Sequence, residues 1–282
     1  MKARIFAAVF ATLLSGALFA CLVFVQLDYL EKRETVDAAF DSQLVARPEI
    51  HNTEIDAQVI AETDADLTRQ VDFASLKSRN EDVDCWVYLP DTNVDFPVMQ
   101  EPDDMPPGEF YYLWRDIDGI EDKSKGGSIF KPYVPLDDGE EPGMVTIMFG
   151  HRMKNRELAF SNMKLFLEQD YFDAHPYVYV YYPDRAERYA VWAACNANYR
   201  DEVYRIYPVY EVGSNQYQAL LTHIGTELAK AASDRAVTSE DHLLVLSTCY
   251  QDDTRMFLAS VLDKTYYYDG YDADWSDGQA AE

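Results

Sequence analysis

The chain has 282 residues, 48% of them apolar, enough for one domain of about 200 residues and an appendage. Fifty acidic residues against 24 basic ones leave a formal charge of −26. A surface of that sign repels nucleic acid and anionic lipid, which are bound through clustered Lys and Arg. The absence of GxSxG, HExxH, Walker and GxGxxG patterns removes the corresponding serine-hydrolase, zinc-protease and nucleotide-binding signatures.

After Lys2 and Arg4, the run from Ile5 to Leu27 carries no charge and is long enough to cross a bilayer as a helix. Basic residues ahead of it favour a cytoplasmic N-terminus and an outside bulk. A cleaved signal peptide would have a shorter apolar core, and the lipoprotein-like Leu18-Phe19-Ala20-Cys21 is followed by further apolar chain. The expectation is therefore an uncleaved anchor over residues 1–27. Residues 28–72 are acidic, glycine-free and rich in recurrent Ala, Leu, Val and Ile, which reads as a partly helical stalk or a plain spacer.

From Phe73 the pattern is one of short strands. Trp86 to Leu89 and Val94 to Met99 flank the turn Pro90-Asp91-Thr92-Asn93. Gly127 to Phe130, Met144 to Phe149, Tyr177 to Tyr182, Arg188 to Asn196, Leu243 to Cys249 and Met256 to Leu262 follow. Helical spacing of apolar residues predicts two helices, Phe160 to Phe172 and Asn215 to Ser233. About eight strands separated by turn signals predict a mainly β barrel or sandwich. Residues 265–282 form an acidic tail expected to fray beyond Tyr268.

Four cysteines occur, Cys21, Cys85, Cys195 and Cys249. With Cys21 in the apolar run, an exported domain is left with an odd number, which flags a reactive thiol. No CxxC spacing supports a zinc site. Cys249 ends one apolar run and Arg255 opens the next, with only Tyr250 to Thr254 between them. A thiol at a strand end can serve as a nucleophile. Arg255, which keeps its proton, can donate to a developing oxyanion. The blander readings are a structural cysteine and an ion pair of Arg255 with Asp252 or Asp253.

Cysteine chemistry also needs a proton carrier. His51 lies in the stalk, His175 precedes Pro176, His223 sits within a predicted helix, and His242 is more than ~20 Å along the strand from Cys249. His151 follows Gly150 where an apolar strand gives way to a loop, the kind of position at which catalytic groups are presented.

In this order, FGHRM (Phe149 to Met153), then LSTC (Leu246 to Cys249), then Arg255 on the next strand resemble the sortases, membrane-anchored cysteine transpeptidases of Gram-positive bacterial surfaces. The finer likeness is to class B: Ser75 to Gln100, FYYL (Phe110 to Leu113), GGSIF (Gly126 to Phe130), HPYVYVYY (His175 to Tyr182) and a helix before the cysteine strand occur in that class's order. The resemblance covers about Phe73 to Lys264. It implies an eight-stranded sortase-type β-barrel with additional helices over residues 73–264, preceded by an N-terminal transmembrane helix and held outside the cell membrane.

By the same resemblance Cys249 is the nucleophile, His151 the general acid/base and Arg255 the oxyanion donor. Ser247, Thr248 and Leu113 line the substrate groove. No cofactor and no metal are implied. The implied partners are secreted proteins or pilins bearing a sorting signal of NPxTN or related type, and a peptidoglycan precursor or pilin amine as acceptor. The chain departs from the class pattern in its short Cys249-to-Arg255 link, in Arg152 and Pro132, in Cys85 where Gly is usual, and in Met105-Pro106-Pro107-Gly108 ahead of FYYL. Two alternatives stay open: an exported cysteine peptidase that uses water, and a catalytically inactive sortase-like binding domain.

Overall fold

The computed structural model describes residues 64–103, 109–122, 126–134, 143–152, 159–204, 210–251 and 253–268. The apolar run, nearly all of the stalk and the tail beyond Tyr268 lie outside them. Among the described residues no helix is long and apolar enough to cross a membrane.

Among the described residues nine strands follow one another: β1 (Val83–Tyr88), β2 (Asp95–Gln100), β3 (Ile129–Lys131), β4 (Val145–Phe149), β5 (Tyr177–Tyr181), β6 (Arg185–Asn198), β7 (Ala229–Ala232), β8 (Leu243–Gln251) and β9 (Thr254–Tyr267). Their hydrogen-bonded order is β5-β1-β2-β3-β4-β8-β9-β6-β7, and β5 also pairs with β6. Eight strands thus close into a barrel, and β7 hangs on β6. The first half of β6 pairs with β5 and its second half with β7, while β9 runs along its other edge. β1 and β2 are joined by a turn in which Asp91 has φ 58, a left-handed conformation that Asp tolerates better than most residues.

Two joints are parallel, β2 with β3 and β4 with β8. A parallel joint needs a long crossover. The one from β4 to β8 takes in β5, β6, β7 and two of the three α-helices among the described residues, so it brings sequence-distant chain together. Helix α1 (Phe73–Arg79) is started by Asp72, whose carboxylate accepts the Ser75 N–H at 2.9 Å, and it buries Phe73 and Leu76. α2 (Gln169–Ala174) follows a 3₁₀ turn, and α3 (Asn215–His223) is capped by Ser214. Tyr217, Leu220 and Leu221 of α3 pack on Val245, Phe257, Ala259 and Val261. A second core gathers Leu67, Phe73, Trp86, Tyr112, Phe130 and Tyr181.

Both predicted helices are shorter than their periodicity suggested. In the first, Met163–Leu167 is 3₁₀ and the chain turns extended at Glu168. Its buried residues Phe160, Met163 and Phe166 recur every third position, which is the 3₁₀ period. In the second, α3 ends at His223, a π-helical turn occupies Ile224–Leu228, and Ala229–Ala232 becomes β7. β5 covers only half of that edge of β6, and the small side chains of Ala231 and Ala232 pair opposite Ala194 and Ala193 in the remainder. Edge pairing outweighs the helix preference of alanine there. Cys85 on β1 and Cys195 on β6 are both buried and free.

Candidate active site

The parallel β4–β8 joint and the antiparallel β8–β9 joint together assemble the residues singled out by sequence. Register sets Phe149 opposite Ser247, and the Gly150 N–H extends the ladder by donating to the Ser247 carbonyl at 3.1 Å. This brings the loop of His151 to the end of β8. Across the other edge of β8, Cys249 stands opposite Arg255. A Cβ at position 150 would lie 2.6 Å from Phe160, so only glycine lets the chain leave β4 under that ring. The His151 carbonyl then accepts the Phe160 N–H at 3.3 Å.

His151 is held on one side by Trp114, whose ring centroid is 4.3 Å from the imidazole. The Leu113 backbone also acts on the ring, favouring its protonated form. Nε2 is buried and has no hydrogen-bond partner. A ring nitrogen that faces a carbonyl carries its proton, so a neutral ring held in that way keeps its lone pair on the other nitrogen. Burial lowers the affinity of His151 for a second proton. The Leu113 carbonyl partly restores it, and the charge of Arg255 lowers it again. His151 is therefore biased toward the neutral imidazole, and Arg255 is near enough to act on it.

Arg255 donates from Nη1 to the Thr254 carbonyl at 3.3 Å, and its guanidinium carbon lies 5.9 Å from the centre of the Tyr199 ring. Tyr199 belongs to the chain leaving β6, and its N–H donates to the Asp253 carbonyl at 3.1 Å. The turn between β8 and β9 is thereby tied to the end of β6.

Ser247 is fully buried, and its Oγ has no hydrogen-bond partner of ordinary geometry. The Tyr204 hydroxyl comes near it and is likewise unpartnered. Burial raises the affinity of that phenol for its proton, and both Ser247 and Arg255 hold the rise back. Thr248 is also buried with an unpartnered hydroxyl, but strand alternation turns it to the opposite face from Ser247. Leu113 meets the site through its carbonyl, while its side chain packs against the core around Phe130.

The other described histidines are otherwise engaged. His175 stacks on Tyr171 with centroids 4.0 Å apart, and His223 pairs with Asp201. His242 lies just before β8, at the far end of that strand from Cys249. Tyr204, Tyr199, Trp114 and the carbonyl of Leu113 were not among the sequence-derived candidates in these roles. Among the described residues no cluster of three or more His, Cys, Asp or Glu side chains could hold a metal ion.

No family model matches the chain. It is 26% identical over 222 residues to the Sortase B of Listeria monocytogenes, covering 71% of this chain and 78% of that protein. It is 24% identical over 188 residues to the Sortase B of Staphylococcus aureus, covering 65% and 70%. Among solved structures, the sortase B of Bacillus anthracis in complex with AAEK1 superposes with a TM-score of 0.59 at 25% identity, over 84% of this chain and 99% of that one. The Staphylococcus aureus sortase B–substrate complex gives 0.56 at 24% identity, over 68% and 84%.

Proposed function

Because the chain belongs to the sortase family, class B, we propose that it is a cysteine transpeptidase that cleaves a C-terminal sorting signal after Thr and passes the acyl group to an amine. The Cys249 sulfur attacks the Thr carbonyl, and its proton passes to Nε2 of His151. Arg255 donates to the oxyanion as the tetrahedral carbon forms. His151 returns the proton to the departing amine as the C–N bond breaks, leaving a thioacyl enzyme. An incoming amine then attacks the thioester, and Cys249 is released as the thiol. Ser247 lines the groove on the face shared with Tyr204, Leu113 borders it through its carbonyl, and Thr248 stands behind it on the opposite face of β8.

The observation that carries this reading is the meeting of three strands, one of them distant in sequence from the other two: Gly150–His151 against Ser247, and Cys249 opposite Arg255. The favoured signal is NPxTN or a related sequence, and the acceptor is a peptidoglycan precursor amine or a pilin lysine. A solved Sortase B is complexed with triglycine, which makes an oligoglycine amine the first acceptor to try. In this reading the run from Ile5 to Leu27 anchors the enzyme by a single pass with the barrel outside the cell.

The test uses the full-length chain in detergent, with Cys249→Ala as the control. Each is incubated with NPxTN and LPxTG peptides, with and without triglycine or a lysine-bearing peptide, and followed by intact-mass spectrometry. A peptide adduct on the unaltered chain alone, resolved by an amine into a joined product, is the expected result. Release by water at a rate that amines leave unchanged would instead make the protein a peptidase. No adduct from any peptide, with Cys249 unreactive toward a small alkylating agent, would make it a binding domain.

A further inference from the structure

One buried carboxylate near the site has no part in the chemistry above. Glu101, just past the end of β2, is only 3% exposed. Its Oε2 accepts the Tyr111 N–H at 2.7 Å and its Oε1 the Tyr112 N–H at 2.9 Å. Its own N–H donates to the Lys131 carbonyl at 3.0 Å, so it is fixed to the end of β3 as well. A carboxylate withdrawn this far from water is costly unless it is paired. Burial raises its affinity for a proton, and the two N–H bonds and the charge of Arg115 offset part of that rise.

The turn it grips is the one that meets His151. Tyr111 and Tyr112 run straight into Leu113, whose backbone favours the protonated imidazole, and Trp114, whose ring lies on the imidazole with centroids 4.3 Å apart. The turn is pinned from the far side too. Gly127 packs so closely that a Cβ there would fall 2.0 Å from the Tyr112 oxygen and 2.4 Å from the Leu113 oxygen. Ser128 donates its N–H to the Tyr112 and Arg115 carbonyls at 3.2 and 2.9 Å. Tyr112 is held at its tip by Asp82, which accepts its hydroxyl at 2.6 Å.

We infer that Glu101 is a positioning residue for His151: by holding the Tyr111 and Tyr112 amides it fixes the Leu113 carbonyl and the Trp114 ring, and so keeps the imidazole in the tautomer that leaves Nε2 free. In many acid/base sites a carboxylate orients the histidine directly. Here the carboxylate stands one step further out, and a backbone carbonyl makes the contact. The inference rests on the transpeptidase reading only for the direction of its kinetic effect.

Glu101→Gln tests it. The amide oxygen can still accept one N–H, but the amide NH₂ meets the other as donor against donor. The full-length chain, labelled at its five histidines, is followed by NMR in detergent, with His151→Ala to assign the resonance. In the unaltered protein His151 is expected as the Nδ1–H tautomer. In Glu101→Gln that preference should be lost. The midpoint should fall by at least about 0.5 pH, because a contact that favours the charged ring is gone. Turnover of a sorting peptide should drop about tenfold with KM within about twofold, the signature of a misplaced proton carrier rather than a damaged groove.

A folded Glu101→Gln protein whose His151 keeps its tautomer and midpoint would overturn the inference. Should that variant not fold, Gly127→Ala pushes the same carbonyl from the other side and must produce the same change at His151. The NMR readout needs no substrate, so the inference and the transpeptidase reading can fail separately.

Discussion

On the β1–β5–β6 side of the barrel, Tyr179 donates its hydroxyl to Asp64 at 2.5 Å, Tyr181 to the Asp66 carbonyl at 2.9 Å and Tyr268 to the Arg69 carbonyl at 3.1 Å. Arg188 reaches Asp64 at 2.8 Å, and Arg69 grips both oxygens of Asp95 at 3.0 Å while lying over Tyr88, leaving only its Nε without a partner. At the end where β4, β8 and β9 meet, His151 Nε2, Ser247 Oγ and the Tyr204 hydroxyl are all buried without partners. A buried polar atom left alone costs roughly 1–3 kcal/mol. One side uses its polar groups to hold the chain down; the other leaves them open to a ligand that brings its own donors and acceptors.

That contrast can be broken by four substitutions. Arg255→Lys should lower turnover by about a hundredfold, because an ammonium cannot reproduce the fork of donors. Its unfolding free energy should stay within about 0.5 kcal/mol of the parent. Arg69→Ala should do the reverse, costing about 2–3 kcal/mol in denaturant unfolding through lost charged hydrogen bonds, with turnover per folded molecule unchanged. If its turnover fell in step with Arg255→Lys, the two sides would not be separate in function.

Ser247→Ala sharpens the comparison. A hydroxyl with no partner should be removable with a change in stability of no more than about 0.5 kcal/mol, or with a small gain. The same change should raise KM for a sorting peptide about tenfold, the equivalent of roughly one hydrogen bond. A stability loss above about 1.5 kcal/mol would mean that Ser247 already has a structural partner.

The smallest effect is expected at His223. Its Nε2 lies 3.1 Å from both oxygens of Asp201, and its Nδ1 lies 3.3 Å from Glu227. Burial disfavours its charge, but these carboxylates and Glu202 raise its proton affinity overall. A histidine whose folded pKa exceeds its unfolded value of ~6.5 stabilises the fold fully below that pH and loses the contribution as pH rises through the folded value. His223→Gln should therefore be less stable than the parent at about pH 5.5, by up to ~1 kcal/mol, and equal to it at about pH 9. Paired urea titrations at the two pH values would measure this, and a gap that widened with pH would refute it.

The strands were legible because alternating Val, Tyr and Phe between turn residues leaves few other solutions, as in Tyr177 to Tyr181. β7 was not, because Ala229 to Ala232 continues the helical spacing of Tyr217, Leu220, Leu221, Ile224 and Leu228. Gly225 was the available warning: it sits in the π-helical turn, where a Cβ would lie 3.2 Å from Trp192. At the site, Cys249, His151 and Arg255 stood out because few residue types do such chemistry and each adjoined a strand end. Glu101 did not, being one carboxylate among 50 acidic residues. The part played by Leu113 could not be read from a side chain at all, since it is its backbone that acts on His151.

The parallel joint between β4 and β8 also fixes when the enzyme becomes able to react. β4 cannot pair with β8 until the intervening chain has been made, and Cys249 gains its place opposite Arg255 only when β9 has formed against both β8 and β6. Closure waits on the pairing of distant segments, a slow step in folding. As the chain emerges from its N-terminus, the histidine precedes the thiol and the guanidinium by about a hundred residues. A partly emerged chain therefore lacks the Cys249–Arg255 pairing that the proposed mechanism needs, and completion of the barrel supplies it.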